Sequence, residues 1–465
     1  MINTQIFYAL NPWQKSPWHL EPKLLNRAVT AKFIQQLDGS YIQVLTGARR
    51  TGKTILIHQC VDHLLRQKAL SPKNIFYLNF DDLELRSELK SNPHLLLDII
   101  TLFSGKPLEE HAAPVYLFLD EVQKFPVYFD QLKLYYDTFR PKLRLMLSGS
   151  AALEIGSRTA ETFAGRIQQT RLFPFSAKEV FQNHFPEWPL PSVLTELLEN
   201  RFEEATWRQL QTHLLPSAPR FGAILRQMLA SGLLPQAYLS ENAEQQLAYL
   251  RDYRITYLEK DIRSLAQVGN LEEFGRLLNL LILQMGNLLN KTSLSNDLGI
   301  AQNTVRKYIS ILEQTFLLEL IEPYTGHPRK NLVKSPKIFF FDVGFFGLVS
   351  GLTNDQLQAA SGKIGAVFEN LCFNEIRKVT SLLPQSPQMH FWRTVDGAEV
   401  DFVIETDKLL LPIEVKFSSS YGQADIKNLL KFKTAYSAKV EKMVFIYNGP
   451  FQHREDVLYL PIWLI

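Results

Sequence analysis

Short apolar runs alternate with longer segments of helical spacing over the first third of the chain. The apolar runs lie at 41–46, 75–80, 115–120 and 143–148. The segments of helical spacing lie at 53–67, 93–103 and 128–139. Strands that are apolar almost throughout are typical of a parallel sheet covered by helices on both faces. The pattern therefore predicts an α/β domain with a parallel sheet, which spans residues 1–175 together with an N-terminal extension.

Helical spacing replaces the strand pattern after this domain. The predicted helices lie at 176–181, 193–210, 221–231 and 244–268, and proline-rich breaks separate several of them. Helices without intervening strands favour a helical lid or connector, which we place at 176–268. Helices and strands mix again toward the C terminus, where we place a separate mixed α/β domain at 346–465.

A tighter helical pattern at 269–345 predicts a winged helix. Residues 293–300 and 303–308 have the pattern of a helix, a glycine-containing turn and a second helix. Residues 316–321 and 337–341 supply two wing strands. Apolar residues at helical spacing provide one shared core: Leu294, Leu298, Ile300, Val305, Ile309 and Leu312.

The second helix of this winged helix begins with polar residues that suit a DNA groove. These residues are Gln302, Asn303, Thr304, Arg306 and Lys307. Residues 303–337 hold only six basic residues against three acidic ones, which is a weak charge for DNA binding. Winged helices also dock proteins, so DNA contact and protein docking remain alternatives.

Composition and charge exclude several classes of protein. Fifty basic and 47 acidic residues leave a formal charge of +3, which is too small for a protein that coats nucleic acid. The two cysteines, Cys60 and Cys372, cannot build a disulfide framework and suit a reducing compartment. The N terminus lacks a signal-peptide pattern, and the apolar runs are shorter than the roughly 18 residues of a membrane helix. A cytoplasmic protein without a membrane partner is expected.

The segment after the first predicted strand carries a nucleotide-binding motif. Two glycines five residues apart are followed by lysine and threonine, as in a P-loop. The motif consists of Gly47, Ala48, Arg49, Arg50, Thr51, Gly52, Lys53 and Thr54. Backbone N–H groups of such a loop cradle phosphates, Lys53 reaches the β- and γ-phosphates, and the Thr54 hydroxyl binds Mg²⁺. The sequence therefore predicts ATP and Mg²⁺ as ligands.

The third predicted strand ends in two acids, Asp120 and Glu121. A P-loop site needs a carboxylate at the end of a neighbouring strand, so we expect Asp120 to hold Mg²⁺. Glu121 lies where a general base orients the attacking water, which favours hydrolysis over binding alone. Ser150 follows the next strand, where its hydroxyl can contact the γ-phosphate or the water. An ordinary turn serine is the alternative.

Arg166 is a candidate for the positive charge that completes the γ-phosphate site. Such an arginine acts within its own chain or is supplied by a neighbouring subunit. The second case requires several copies of the chain, and we expect a homo-oligomer. The alternative for Arg166 is a surface ion pair without a part in catalysis.

Acidic residues and a lysine recur at a characteristic spacing in the last hundred residues. Asp401, 12 intervening residues, and then Glu414 and Lys416 match the arrangement of PD-(D/E)XK nucleases. Residues two apart on a strand face the same side. In such sites carboxylates bind Mg²⁺ or Mn²⁺ and the lysine positions or deprotonates water, and Glu369 on a predicted helix adds a third carboxylate. Residues 363–465 hold 12 basic and 12 acidic residues, so no net field attracts DNA, and an inactive structural or docking domain is the alternative.

These motifs occur in an order that resembles a known family. Besides the P-loop, the shared segments are 11–13 (Asn-Pro-Trp), 119–123 (Leu-Asp-Glu-Val-Gln), 148–150 (Ser-Gly-Ser), 164–166 (Ala-Gly-Arg), 172–176 (Leu-Phe-Pro-Phe-Ser), 251–261 and 396–404 (Asp-Gly-Ala-Glu-Val-Asp-Phe-Val-Ile). The chain is similar, over nearly its whole length, to prokaryotic AAA+-type ATPases that carry a C-terminal domain of unknown function. The resemblance implies an AAA+-like ATPase joined to a winged helix and a PD-(D/E)XK nuclease-like tail.

Two functions follow from these observations. The first is a Mg²⁺-dependent ATPase that couples its nucleotide state to a DNA-interacting, nuclease-like C-terminal half. The second is a nucleotide-switched regulatory protein whose C-terminal half docks a protein partner and cleaves nothing. ATP is the ligand in both, whereas DNA belongs to the first function and a protein partner to the second.

Overall fold

A computed structural model of the protein describes residues 3–20, 27–150, 162–186, 192–214, 218–257, 262, 270–326, 335–352, 356 and 361–465. One compact unit, the P-loop unit, comprises Met1–Phe173 and Gln314–Phe316. A second, the C-terminal unit, comprises Pro174–Glu313 and Leu317–Ile465. The finer predicted division of the second unit into lid, winged helix and nuclease-like domain stays a prediction. Across the described residues, no helix combines the length and apolar character needed to cross a lipid bilayer.

Five parallel strands form the sheet of the P-loop unit in the order β2-β3-β4-β1-β5. The strands are β1 (Ile42–Thr46), β2 (Ile75–Asn79), β3 (Val115–Asp120), β4 (Leu143–Gly149) and β5 (Ile167–Arg171). Every residue of β1 and β3 is buried, as expected for central strands covered on both faces. The predicted parallel α/β domain is confirmed, and β1 ends directly before the P-loop.

Strand β5 is absent from the sequence prediction. It reads Ile-Gln-Gln-Thr-Arg, and Thr170 is its one buried residue. The strand lies at the edge of the sheet beside β1, where fewer positions face the core. A polar edge strand therefore gives little of the apolar signal by which the other four strands are recognised.

The described helices of the P-loop unit pack on this sheet around one apolar core. They are α1 (Thr4–Leu10), α2 (Ala28–Gln36), α3 (Lys53–Arg66), α4 (Leu83–Ser91), α5 (Leu95–Ser104) and α6 (Phe129–Phe139). Helices α3, α5 and α6 agree with the predictions within two residues at each end. Helix α4 was not predicted; the carboxylate of Asp82 caps it by accepting from the backbone N–H groups of Glu84 and Leu85 at 2.9 and 3.2 Å.

The N-terminal extension covers the outer edge of β2, the side that faces away from β3. The side-chain amide of Asn11 donates to Tyr77 O at 2.9 Å, and its carbonyl oxygen accepts from Tyr77 N at 2.7 Å. The indole N–H of Trp13 donates to Ile75 O at 3.1 Å. Unpaired strand edges favour aggregation, so the Asn-Pro-Trp segment has a structural role in closing this edge.

Helices follow one another in the first part of the C-terminal unit, as predicted for the lid. They are α7 (Ala177–His184), α8 (Val193–Leu198), α9 (Glu204–Leu214), α10 (Ala218–Ser231), α11 (Pro235–Tyr238) and α12 (Ala243–Thr256). The single helix predicted at 193–210 is wrong, because Asn200 takes a left-handed conformation (φ 55°) and separates α8 from α9. Residues 258–261 and 263–268 of the helix predicted at 244–268 lie outside the described residues.

The next elements are three helices and two short antiparallel strands. They are α13 (Leu271–Leu283), α14 (Lys291–Leu298), α15 (Gln302–Gln314), β6 (Leu318–Ile321) and β7 (Lys337–Phe340), followed by the short helix α16 (Gly344–Ser350). Gly299 ends α14 in a left-handed conformation (φ 67°), which glycine adopts without a steric penalty. Leu288, between α13 and α14, forms an antiparallel bridge with Lys337 of β7.

A long helix and a mixed sheet complete the C-terminal unit. Helix α17 (Ser361–Leu382) precedes six strands and the helix α18 (Gln423–Ala435). The strands are β8 (Gln388–Arg393), β9 (Glu399–Glu405), β10 (Leu410–Lys416), β11 (Met443–Tyr447), β12 (Gln452–Arg454) and β13 (Val457–Leu460). Their order is β12-β13-β11-β10-β9-β8, with β8, β9 and β10 antiparallel and β10, β11 and β13 parallel. The predicted mixed α/β domain is therefore present.

Candidate functional site

The P-loop connects β1 to α3 through glycines with unusual backbone angles. Gly47 has φ 151° and Gly52 has φ 101°, conformations that side chains of other residues rarely allow. A Cβ atom on Gly47 would lie 2.2 Å from Leu172 O, an impossible contact. The backbone after β5 is fixed there because Leu172 N donates to Thr46 O at 2.7 Å. Gly47 is thus required by the protein's own packing.

The side chain of Lys53 lies inside the P-loop. Its Nζ donates to Gly47 O and Ala48 O, each at 2.9 Å, and the residue is buried. The Thr51 hydroxyl donates to Ala48 O at 2.9 Å and holds the loop in shape. The ammonium group and the loop backbone therefore converge on one small region at the N terminus of α3, where a helix favours anions.

Asp120, at the end of β3, is the centre of the hydrogen-bond network beside the loop. Its Oδ2 accepts from Thr54 Oγ1 at 2.9 Å and from Tyr77 Oη at 2.8 Å. Its Oδ1 accepts from Glu121 N at 3.0 Å and from the Ser148 hydroxyl. Burial, together with the negative charge of Asp120, raises the pKa of Tyr77 well above its usual value, so Tyr77 remains a donor.

The oxygen atoms of Thr54 and Asp120 fit a magnesium ion. Mg²⁺ prefers hard oxygen ligands and commonly takes one or two from the protein and others from phosphates and water. Among the described residues, no group of three or more His, Cys, Asp or Glu side chains is arranged to hold a metal ion without such help. When bound in a P-loop site, the ion neutralises charge on the β- and γ-phosphates.

Glu121 and Ser150, which follow neighbouring strands β3 and β4, lie close together. Ser150 Oγ lies 3.3 Å from Glu121 Oε2, and Gln123 Nε2 donates to Ser150 Oγ at 2.9 Å and to Glu121 Oε2. Glu121 has φ 54°, an uncommon left-handed conformation for a glutamate, directly after β3. Gln123 is the member of this group that residue-by-residue reasoning missed, although it lies in the Leu-Asp-Glu-Val-Gln segment.

Arg166 lies at the end of the sheet opposite the P-loop, where strands β1 and β5 begin. It directly precedes β5, and its carbonyl accepts from Ile42 N, at the start of β1. Strand β5 runs parallel to β1, so the length of a five-residue strand, about 16 Å, separates Arg166 from the loop. Arg166 Nε instead pairs with Asp137 Oδ1 at 2.8 Å. The structure contradicts a role for Arg166 at the P-loop of its own chain, and a role in a neighbouring subunit stays a prediction.

Arg27 contacts the P-loop, although sequence reasoning gave it no role. Its Nη1 donates to Thr51 O at 3.1 Å, and its Nη2 donates to Phe173 O at 2.7 Å. Arg27 precedes α2 by one residue, in a segment without a recognisable motif, so no sequence signal marks it. The guanidinium joins the loop to the last residue of the P-loop unit's main segment.

Aromatic rings surround His58 on α3, four residues after Thr54. The ring centroids of Trp13, Trp18 and Tyr77 lie 6.2, 5.8 and 5.7 Å from that of His58. Burial lowers the pKa of His58 below its usual value, although the charge of Asp120 opposes the shift. His58 is therefore neutral at pH 7.

Acidic residues of the predicted nuclease-like site gather around a lysine that was not predicted. Lys337 Nζ lies 3.0 Å from Glu369 Oε1, 2.5 Å from Glu399 Oε1 and 3.7 Å from Asp401 Oδ1. We call these four residues the Lys337 cluster. Despite burial, which lowers the pKa of a lysine, the three carboxylates raise the pKa of Lys337 above its usual value. Sequence reasoning missed Lys337 because it begins an otherwise apolar strand.

Glu414 and Lys416 have different surroundings, although both lie on β10. Burial and the nearby Asp401 raise the pKa of Glu414 to about 10, and its buried Oε2 has no hydrogen-bond partner in the described part of the chain. Lys416 is 49% exposed and pairs with Asp425 of α18. Asp401 Oδ2 accepts from Val415 N at 2.8 Å, which joins β9 to β10.

The structure thus brings three of the four predicted C-terminal residues, Glu369, Asp401 and Glu414, into one region but gives Lys416 another partner. These residues do not fit a divalent cation, because the ammonium of Lys337 already lies among the carboxylates. A cation of charge two at the same place would meet like charge at close range. We therefore derive no chemistry through a metal at this cluster.

Three family models match separate parts of the chain. An AAA domain matches residues 39–181. Two domains of unknown function follow: DUF8612 over residues 222–356 and DUF4143 over residues 364–465. Together with the parallel sheet and the P-loop geometry, the first match defines an AAA-like P-loop ATPase domain.

The curated relatives share low identity over most of their length. An uncharacterized protein of Haemophilus influenzae is 24% identical over 446 residues, which cover 93% of this chain and 96% of the relative. Uncharacterized proteins of Mycobacterium bovis and Mycobacterium tuberculosis are each 23% identical over 394 residues, covering 85% of this chain and 74% of theirs. In each case the similarity extends over most of this chain.

Two solved structures match parts of the chain at low similarity. AMPPCP-bound DnaA from Aquifex aeolicus is 13% identical with a TM-score of 0.23, covering 61% of this chain and 86% of that chain. PCH-2 from C. elegans is 14% identical with a TM-score of 0.21, covering 36% of this chain and 41% of that chain. Scores this low do not support a shared overall arrangement, so the class stated above rests on the sheet, the P-loop and the AAA match.

Proposed function

We propose that the protein is a Mg²⁺-dependent ATPase whose nucleotide state controls its C-terminal half. One observation carries this proposal: the hydroxyl of Thr54 lies 2.9 Å from the carboxylate of Asp120, and the preceding residue, Lys53, buries its ammonium in the P-loop. A loop that served only as a turn between β1 and α3 would not need a buried lysine followed by a hydroxyl that bonds a carboxylate.

Each group has a definite task in hydrolysis. Lys53 and the loop N–H groups bind the β- and γ-phosphates, while Thr54 and Asp120 hold the Mg²⁺ that accompanies them. Glu121 accepts a hydrogen bond from the attacking water and orients it, as a general base does. Ser150 and Gln123 hold the Glu121 carboxylate in place and so position it for the water.

A hydrolysis assay on the full chain tests the role of Glu121. Glu121→Gln keeps the shape of the side chain but removes the base, so we expect ATP turnover to fall by about 10²-fold or more while ATP binding is retained. Glu110→Gln is the matched control, because Glu110 is an exposed glutamate remote in sequence from the loop. Turnover of Glu121→Gln at the wild-type rate would contradict the assignment.

For the C-terminal half, we propose a winged helix that contacts DNA. The order α13, Leu288 bridge, α14, α15, β6, β7 is the order typical of winged helices. Three polar side chains at the start of α15, Asn303, Arg306 and Lys307, are exposed. Exposed polar and basic groups at the start of this helix favour a nucleic-acid partner over an apolar protein surface.

DNA titrations of the full chain at two salt concentrations test this contact. The double variant Arg306→Ala/Lys307→Ala should weaken binding and reduce its salt dependence. Lys427→Ala/Lys439→Ala is the matched control, since both lysines are exposed elsewhere in the C-terminal unit. Equal binding by wild type and the first variant would favour the alternative, a regulatory protein whose C-terminal half docks a protein partner.

The mixed sheet supports a PD-(D/E)XK nuclease-like fold for the last hundred residues. Helix α17, the antiparallel β8, β9 and β10, and the parallel β11 after α18 follow one another in this order. Asp401 lies on β9 and Glu414 on β10, as the spacing of the motif requires. A nuclease-like fold does not by itself imply cleavage of DNA, and here Lys337 lies among the acidic residues.

A further inference from the structure

The Lys337 cluster contains one ammonium group among three carboxylates, so the lysine balances one of their charges. The side chain of Lys337 is only 4% exposed, and its Nζ lies within 3.7 Å of three carboxylates. Buried charges are stable in proteins only when paired or bound to a cation. Here the paired cation is part of the chain.

The backbone fixes Lys337 on both sides, so its ammonium is not a mobile surface group. Lys337 begins β7, where Ile321 of β6 is its partner on one side and Leu288 on the other. The next residue, Ile338, donates to Asn287 O at 3.0 Å and accepts from Gly286 N at 2.8 Å. The Lys337 ammonium lies over the Phe391 ring, 5.6 Å from its centroid.

The acids are held just as firmly against β7. The side chain of Asn370, next to Glu369 on α17, accepts from Phe340 N and donates to Phe340 O, both at 2.8 Å. A Cβ atom on Gly286 would lie 3.2 Å from Glu369 Oε2, so the loop before α14 packs directly on this carboxylate. The space between the acids is bordered by β7, α17, β9 and this loop.

We propose that Lys337 takes the place that a divalent cation occupies in an active nuclease of this type. The nuclease-like domain then binds no Mg²⁺ or Mn²⁺ at Glu369, Asp401 and Glu414 and cleaves no DNA through them. The ion pairs instead clip the β6–β7 hairpin to α17 and β9. This inference stands independently of ATP hydrolysis, because it concerns only residues of the C-terminal unit.

Metal titration of the full chain without nucleotide tests the first part. Mn²⁺ binding is followed by electron paramagnetic resonance of the free ion, for wild type and for Asp401→Asn. We expect the two titrations to be the same, since no ion binds at the cluster. A Mn²⁺ site in the wild type that Asp401→Asn removes would overturn the proposal, as would metal-dependent DNA cleavage that the same change abolishes.

Thermal unfolding tests the clip. Lys337→Met keeps the stem and removes the charge, so it leaves three partly buried acids without their cation and should lower the melting temperature by several degrees, up to about 10 °C. Lys431→Met is the matched control, because Lys431 pairs with Asp396 at the exposed surface and such pairs contribute little. If Lys337→Met melted at the temperature of Lys431→Met, the cluster would not be the clip proposed here. A Lys337→Met chain that fails to fold supports the clip.

Discussion

Replacing Gly47 by alanine should destabilise the P-loop unit strongly even without any ligand. The new Cβ atom would lie 2.2 Å from Leu172 O, and a φ of 151° is itself unfavourable for alanine. Backbone strain of this kind costs about 1–3 kcal/mol, and overpacking against fixed atoms costs a further 1–3 kcal/mol or so. The unfolding free energy of the unit should therefore fall by about 2–6 kcal/mol, a large part of a typical domain's stability.

Hydrogen exchange of the β1 and β5 amides, followed by mass spectrometry, measures this loss within the P-loop unit itself. Gly105→Ala is the control, because Gly105 has φ 84° but a Cβ atom added to it would meet no other atom within 4 Å. That change should cost only the backbone penalty, about 1 kcal/mol. The reasoning fails if Gly47→Ala exchanges like the wild type, or if both variants lose the same protection.

Three further predictions concern residues around the same sheet. Arg27→Lys keeps the positive charge but cannot bridge two carbonyls, so its KM for ATP should be raised in ATPase assays. Arg27→Gln, which also removes the charge, should raise the KM by little more. An unchanged KM in both variants would show that Arg27 does not position the loop. If Arg166 acts in a neighbouring subunit, mixing Arg166→Ala with Lys53→Ala chains should restore part of the ATPase activity of a proven oligomer, and no recovery would leave only a structural role. Because the pKa of His58 is lowered in the folded protein, the unfolded chain binds more protons below about pH 6.5, and stability falls as the pH falls through that range. Urea unfolding at pH 7 and pH 5 should show a smaller loss for His58→Phe than for the wild type, and an equal loss would contradict the assignment.

The central features of the P-loop unit could be predicted from the sequence because they depend on local patterns. Apolar runs mark β1 to β4, the P-loop spacing marks Lys53 and Thr54, and the acid at the end of β3 marks Asp120. Strand β5 is not predicted from the sequence because an edge strand tolerates polar residues. The role of Arg27 is not predicted because hydrogen bonds from a side chain to distant carbonyls leave no pattern in the sequence.

For the charged residues of the C-terminal unit, the sequence predicts the acids but not the cation that lies among them. The spacing of Asp401 and Glu414 predicts acids on neighbouring strands, and these two residues lie on β9 and β10. Which cation accompanies them depends on Lys337, more than sixty residues earlier, which only the folded chain brings to the acids. For Arg166 the sequence motif has the expected order, but the direction of β5 places the residue at the end of the strands opposite the P-loop.

Equilibrium binding of a non-hydrolysable ATP analogue with Mg²⁺ tests the central claim most directly. We expect the full chain to bind the analogue saturably at one site per chain, and Lys53→Ala to weaken binding by about 10- to 100-fold through loss of charge-assisted hydrogen bonds. Lys90→Ala, which changes an exposed lysine of α4, should bind like the wild type. No saturable binding by the wild type, or equal affinity in Lys53→Ala, would contradict the identification of this loop as a nucleotide site.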